Sequence, residues 1–565
     1  MTTASDALQP AGQPADSGKD GLLPSDTEPA AAGTVWPRLE QLLDALSERM
    51  NPILVKEARQ AMKSKQFSVT FTLLLIFGWV YTVLFVILNL PGVFYSPFGT
   101  VMLVGYYLIL AVPLLIVVPY ASFRSLAAEL EDGTYDLLSI TALSARQIVT
   151  GKLGSSLLQM MVYYSALAPC IAFTYLLRGI DVVTIGLLLA YTFLASLLLS
   201  ILALTLSTVT RARHWQVLLS VLLVIALLVF GFFWCWLMFG MLASATTMPY
   251  DQPAWWMFNL AVIMFYIPIA LLFILIAAGQ VTFASENRST GVRIVLMVLQ
   301  TLIVGWTLYG FVYVSDEDVV MMGSTWLGIL WAVAGGFLIG EMAQLSPRAR
   351  RELPQSVLGR MAFTWFNPGS GTGYVFTVLN LLGGMLTMAM FVTMGTLVTG
   401  NWGGTSMDVW TAWWMAIVSY ITIYTGLARL FGGALHRLGS GSMVGTFVTY
   451  LLLLVMGVAG PLAIQALLRW MLNQGVVGEF EYTPLQMSNW IWTLYEIGRD
   501  RAAVSDGTPW FLAFGALAVF LLNFVFAAGE VEKTRLAAPQ RVLDDEALLH
   551  PAPKPAKRSP WDEPA

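Results

Sequence analysis

Polar and apolar positions in this chain are segregated in blocks of tens of residues. From Gln66 to Phe123 no charged residue interrupts the sequence. A hydrocarbon core is crossed by about 20 helical residues, so this stretch predicts a helical hairpin turned at Leu90-Pro91-Gly92 and Ser96-Pro97. The pattern continues to the end of the chain. Spans are predicted near 68–90, 99–121, 155–177, 183–208, 216–240 and 257–283 in the first half. In the second half they fall near 294–314, 324–345, 375–399, 409–430, 443–468 and 508–529. The expected fold is all-α, a polytopic membrane protein with about 12 transmembrane helices. The stretch 241–256 reads as a plain loop or a short re-entrant element.

Two amphipathic segments precede the first span. Between Trp36 and Met50, the residues Leu39, Leu42, Leu43, Leu46 and Met50 recur at helical spacing. Asn51-Pro52 breaks that pattern, and Pro52 suits the first turn of a new helix. From Ile53 to Phe67 that helix sets Lys56, Arg59 and Lys63 on one face and Leu54, Ala58, Ala61 and Met62 on another. It reads as an interfacial helix on the inner leaflet; the plainer reading is a basic flank that fixes topology. The expected organisation is a disordered tail (1–35), the amphipathic helices (36–67), two six-span domains (68–285 and 286–529) and a disordered cytosolic tail (530–565). The second six-span domain carries an outer segment, 471–508, with a helix expected near Leu485–Arg499.

Composition agrees with the pattern. The 565 residues are 57% hydrophobic and 11% charged, with mean hydropathy +0.71; soluble chains carry about 25% charge. With both termini inside, the outer side holds only Arg178, Arg469, Arg499 and Arg501 of the 30 Lys and Arg residues, and Asp316-Glu317-Asp318 lies outside. This distribution follows the positive-inside rule and supports an even span count. Trp255, Trp256, Trp402, Trp410, Trp490 and Trp510 fall at expected outer interfaces, where indole rings settle, or are packing residues. Cys170 and Cys235 both lie in apolar spans, so a disulfide framework or cysteine metal site is not expected.

Several chemistries are disfavoured. His214, His436 and His550 are scattered, with no metal-binding spacing. Gly369-Ser370-Gly371-Thr372-Gly373 lacks the Lys-Ser/Thr of a phosphate loop and reads as a flexible approach to span nine. Gly439-Ser440-Gly441-Ser442 has no activating base. The chain is not expected to be an enzyme, and no metal or cofactor is expected on it. Ionisable groups sit near span ends, as with Glu341 and Arg429. Gradient-driven carriers need such groups within their spans, so an external energy source fits better.

The segment Ala121–Leu153 is the most patterned polar stretch between two spans. Glu129, Glu131 and Asp132 are expected to end one helical segment, and Gly133 lets the chain turn. Thr134 or Asp136 can cap a short helix. Tyr135, Leu137, Leu138, Ile140, Leu143 and Ile148 follow, the leucines and isoleucines forming an apolar edge, and Arg146 and Lys152 return the chain to the membrane. A capped helix with acidic and apolar faces suits docking into a partner's groove. The arrangement resembles the permease subunits of ABC-2 type transporters. Three pieces carry the resemblance: Asn51-Pro52-Ile53-Leu54-Val55-Lys56-Glu57; Glu131-Asp132-Gly133-Thr134-Tyr135-Asp136-Leu137-Leu138; and Leu143-Ser144 leading to Ile148-Val149-Thr150-Gly151-Lys152. It covers about residues 50–285. Ala142 stands where such proteins often have proline, so a looser turn is expected there.

The resemblance implies a separate cytosolic ATPase subunit that carries the ATP and docks on Glu129, Glu131, Asp132, Gly133, Thr134, Tyr135, Leu137 and Leu138. The interfacial helix (Asn51, Pro52, Lys56, Glu57, Arg59, Lys63) and the return of the loop (Gly151, Lys152) frame that surface. It further implies a second permease, identical or related, with spans two and five lining the pathway and the dimer interface. Partners beyond these are the lipid bilayer, with no nucleic acid, and the expected location is a bacterial cytoplasmic membrane. The alternative is a non-enzymatic scaffold that recruits a cytosolic partner through the same loop. Phe366-Asn367-Pro368 faintly echoes Asn51-Pro52, but no second Glu-x-Gly-Thr follows. The second half therefore reads as a divergent or accessory domain.

Overall fold

A computed structural model of the chain describes residues 52–133, 135, 144–210, 212–244, 248–282, 286–314, 317–341, 345–399, 407–437, 443–471, 482–499, 507–537 and 539–549. The chain divides into two compact units, Met1–Pro52 and Ile53–Ala565, and everything below concerns the second, apart from Pro52 as the first residue of a helix. All regular structure among the described residues is helical. Helix α1 is Pro52–Lys63. The first six spans are α2 (Lys65–Leu88), α3 (Gly99–Glu131), α4 (Ala145–Leu176), α5 (Val182–Ser207), α6 (Arg213–Ser244) and α7 (Pro253–Val281). The second half comprises α8 (Thr290–Val314), α9 (Glu317–Leu338), the short α10 (Pro347–Glu352) and α11 (Val357–Thr364), then α12 (Ser370–Thr399), α13 (Met407–Arg437), α14 (Met443–Met471), α15 (Trp490–Arg499), α16 (Thr508–Thr534) and α17 (Gln540–Leu549). Twelve of these are long and apolar enough to cross a membrane, and each overlaps a predicted span. The chain is a multi-pass membrane protein.

Two local differences from expectation, and one irregularity inside a span, have clear causes. First, α3 and α4 run well past the predicted spans, to 33 and 32 residues. Helix α4 starts early because Ser144 and Gln147 form a capping box that satisfies the first-turn N–H groups. Helix α3 continues because Phe123, Leu126, Ala127 and Leu130 give it a buried stripe past the apolar block. Second, Pro113 does not end α3: a π-helical turn, Pro113–Val117, absorbs it, and Ser196 Oγ donates to the Leu114 carbonyl there. Third, α9 lies about two turns earlier than predicted. Val320 packs into the core beside Phe311, and the chain leaves the helix at Leu338 so that Glu341 can meet α8.

The first half packs around α3, which lies along α5 and α4 and is more than half buried. Polar bridges fix its rotation: Tyr107 Oη to Thr192 Oγ1 at 2.8 Å, Trp234 Nε1 to Tyr107 Oη at 3.0 Å, and Ser122 Oγ to Ser156 Oγ at 2.6 Å. The second half packs around α13, which lies along α9, α14, α12 and α16. Helix α7 packs on α8, and this is the principal helix contact joining the halves. Of the interface tryptophans, Trp256 and Trp510 are exposed, Trp410 is instead buried in the core, and Trp402 lies outside the described residues.

Candidate functional site around Lys152

Because α4 begins at Ala145, Lys152 stands two turns inside a span rather than in a loop. Its side chain is 1% exposed, and Nζ lies 3.0 Å from Glu129 Oε2 and 3.2 Å from Glu57 Oε1. Nζ also donates to the Ser125 carbonyl at 3.0 Å. Glu57 comes from α1, Ser125 and Glu129 from α3, so one ammonium joins three helices. Two carboxylates outnumber the lysine, and Lys56, at 3.9 Å from Glu129 and 4.0 Å from Glu57, brings the group to neutrality from its exposed edge. Ions withdrawn from water are tolerated when paired and hydrogen-bonded in this way.

An apolar layer lies beside the ions. Ile53 of α1 packs with Leu126 and Leu130 of α3, Ile148 and Val149 of α4, Leu204 of α5, and Ala277, Ala278 and Val281 of α7. Gly154 lets α1 approach: a Cβ there would sit 2.6 Å from a Leu54 methyl. Tyr135 belongs to the same layer, 3% exposed, and its hydroxyl donates 3.0 Å to the Val281 carbonyl in the last turn of α7.

The residues singled out in the sequence therefore divide by direction. Glu57, Glu129, Tyr135, Gly151 and Lys152 are buried or largely covered and face other helices. Glu131 is mostly covered and lies 3.9 Å from Arg124. Asp132 and Gly133 form the exposed tip, where Gly133 adopts φ +68 with open space around it. This is the left-handed turn that ends many helices and that glycine adopts without strain. Lys56, Arg59 and Lys63 are exposed along α1. Asn51, Thr134, Leu137 and Leu138 lie outside the described residues. Sequence reasoning missed the inward turn of Lys152. The signal was the Ser144-x-x-Gln147 capping box, which fixes where α4 starts.

A second charged cluster lies at the same end of the other half. Arg293 is fully buried; its guanidinium lies 2.8 Å from Glu341, donates 2.6 Å to the Trp365 carbonyl, and stacks over Phe376. Arg429 pairs with Glu530 at 2.6 Å and donates to Asn523. The glycine-rich stretch, Gly369 and the first turn of α12, lies between these pairs. Gly371 N donates to Glu530 Oε2 at 3.1 Å, and Thr372 Oγ1 lies 3.5 Å from Arg293. This stretch is clamped, where a flexible approach was expected, and a carboxylate already takes the amide that a phosphate would need. No group of three metal-ligating side chains occurs among the described residues.

Compared with known proteins, the chain matches no family model, no curated protein and no solved structure. What it does must therefore be argued from the site itself.

Proposed function

We propose that the chain is the permease subunit of an ATP-driven exporter of the ABC-2 type, coupled through the α3–α4 connection to a separate ATPase. The observation that carries this reading is the Lys152 cluster. A partner docked on the Asp132-Gly133 tip pushes on the ends of α3 and α4, and buried ion pairs tie both to α1. The three helices then move as one body, which is what coupling of a nucleotide-driven motion to a membrane pathway requires. The clamped glycine-rich stretch agrees with nucleotide binding on another chain. Helix α6 carries exposed Ile225, Val229, Phe232 and Trp236, an apolar ridge suited to a second permease or to lipid. In this assembly the membrane is the bacterial cytoplasmic membrane, with the Lys152 end facing the cytosol.

The test is affinity purification of the full-length chain in mild detergent, with partners identified by mass spectrometry. A P-loop ATPase in near-stoichiometric amount is expected. Its recovery should fall at least tenfold in the Glu131→Lys, Asp132→Lys variant while insertion and yield persist. Asp132→Lys alone separates docking from loss of the neighbouring Arg124–Glu131 pair. Recovery of an intact chain without an ATPase, or unchanged recovery in both variants, refutes the proposal.

A further inference from the structure

The second half contains a cavity of about 970 Å³ between α12, α13 and α16, at the end remote from the Arg293 and Arg429 clusters. Its wall includes Leu382, Met415, Ala513, Leu517 and Phe520, and Ile497 of α15 contributes at one end. Among the described residues no ionisable side chain lines it. The indole N–H of Trp414 and the hydroxyl of Thr422, both on lining residues, are covered and have no hydrogen-bond partner among the described residues.

Size and chemistry select the occupant. The volume equals that of about 30 water molecules at about 30 Å³ each, but a water needs two to four polar partners and this wall is mostly aliphatic and aromatic. The space is a cleft open along one side, where Leu379, Trp510 and Leu517 are exposed, and its volume lies at the upper end of the range for small-molecule sites, about 300–1,000 Å³. Depth narrows the choice. Along α16 the lining runs from Pro509 to Phe520, which at about 1.5 Å per residue is roughly 16 Å. That is about half of a hydrocarbon core of about 30 Å, or one leaflet. A free fatty acid would bring a carboxylate for which the wall, among the described residues, has no cation.

We propose that this cavity is a binding site for one hydrocarbon chain of a bilayer glycerolipid, whose headgroup remains at the membrane surface beside α15 and the start of α16. The proposal is independent of the ATPase reading and needs only that the twelve helices lie in a bilayer.

The experiment uses the full-length chain, purified in mild detergent or in nanodiscs of phosphatidylethanolamine and phosphatidylglycerol, and native mass spectrometry with the bound lipid identified by mass. One diacyl lipid per chain is expected to survive delipidating washes. Ala513→Trp, which fills the cavity, should reduce occupancy at least tenfold. Val525→Trp, on the exposed face of the same helix, should leave it unchanged. If Ala513→Trp does not elute as a folded protein, Ala412→Phe fills the cavity from α13 and is read in its place. Absence of retained lipid in the unaltered chain overturns the proposal, as does equal retention in the filling variant. Retention of a fatty acid or detergent monomer instead of a diacyl lipid overturns the choice of occupant.

Discussion

Replacing Lys152 by methionine removes the only cation within 3.2 Å of Glu57 and Glu129 among the described residues. The side chains are similar in length, so packing changes little and the effect reports on charge. The two carboxylates, with side chains 9% and 16% exposed, would keep only Lys56, at longer distances and with a side chain more than half in water. Exposed pairs of that kind contribute about 0–1 kcal/mol, whereas removing one partner of a buried pair costs about 3–5 kcal/mol. The expected loss is therefore about 3 kcal/mol, a fall of more than a hundredfold in the folded-to-unfolded ratio at about 1.4 kcal/mol per tenfold. Reversible unfolding in mixed micelles, titrated with a denaturing detergent, measures it. Glu57→Gln, Glu129→Gln, Lys152→Met removes the three covered charges together and should recover most of the loss, because the ion left over, Lys56, is more than half in water. A single variant as stable as the unaltered chain would refute the reasoning, as would a triple variant no better than the single.

Two further outcomes follow from close packing and capping. Gly373→Ala should destabilise by about 1–3 kcal/mol, since its Cβ would lie 2.4 Å from the Leu338 carbonyl oxygen; Gly383→Ala, on the same helix with open space around it, should be neutral or slightly stabilising in the same unfolding assay. Asp181 caps α5 by accepting from Thr184 N at 3.0 Å; burial raises its pKa, but hydrogen bonds from Thr184, its own backbone N–H and Tyr250 together outweigh this and the net position is below the usual value of 3.8. A depressed carboxylate pKa contributes stability above 3.8 that is lost as pH falls through the folded-state value, so thermal stability should decline in that acid range, and Asp181→Asn should flatten that part of the pH profile while keeping most of the cap.

Span number and fold class were legible because long apolar blocks leave a helix few alternatives in a bilayer. Ends were less legible. Hydropathy marks where a helix stops being apolar, but α3 and α4 continue as helices buried against one another and against α1. That turned Glu129, read as the end of a helical segment, and Lys152, read as the return of the loop, into members of a buried ion cluster. The pairing of Glu57 with Lys152, and of Arg293 with Glu341, joins positions far apart in sequence, and no local spacing announces it. Gly133 was legible, since a helix ending in Glu-Asp-Gly needs a residue that tolerates positive φ. The glycine-rich stretch that opens α12 was misread because its restraints come from α8, α13 and α16.

The α7–α8 pairing also bears on how the protein is made. Each half closes its own core, and the connection between them is short: Val281 ends α7 and Thr290 begins α8. During synthesis the first six helices can finish packing before α8 leaves the insertion machinery, and α8 then has one partner helix in the first half to find. A nick in the connection would sever a tether without opening either core. Two separately translated polypeptides, meeting along that one helix pair, should therefore reconstitute the whole.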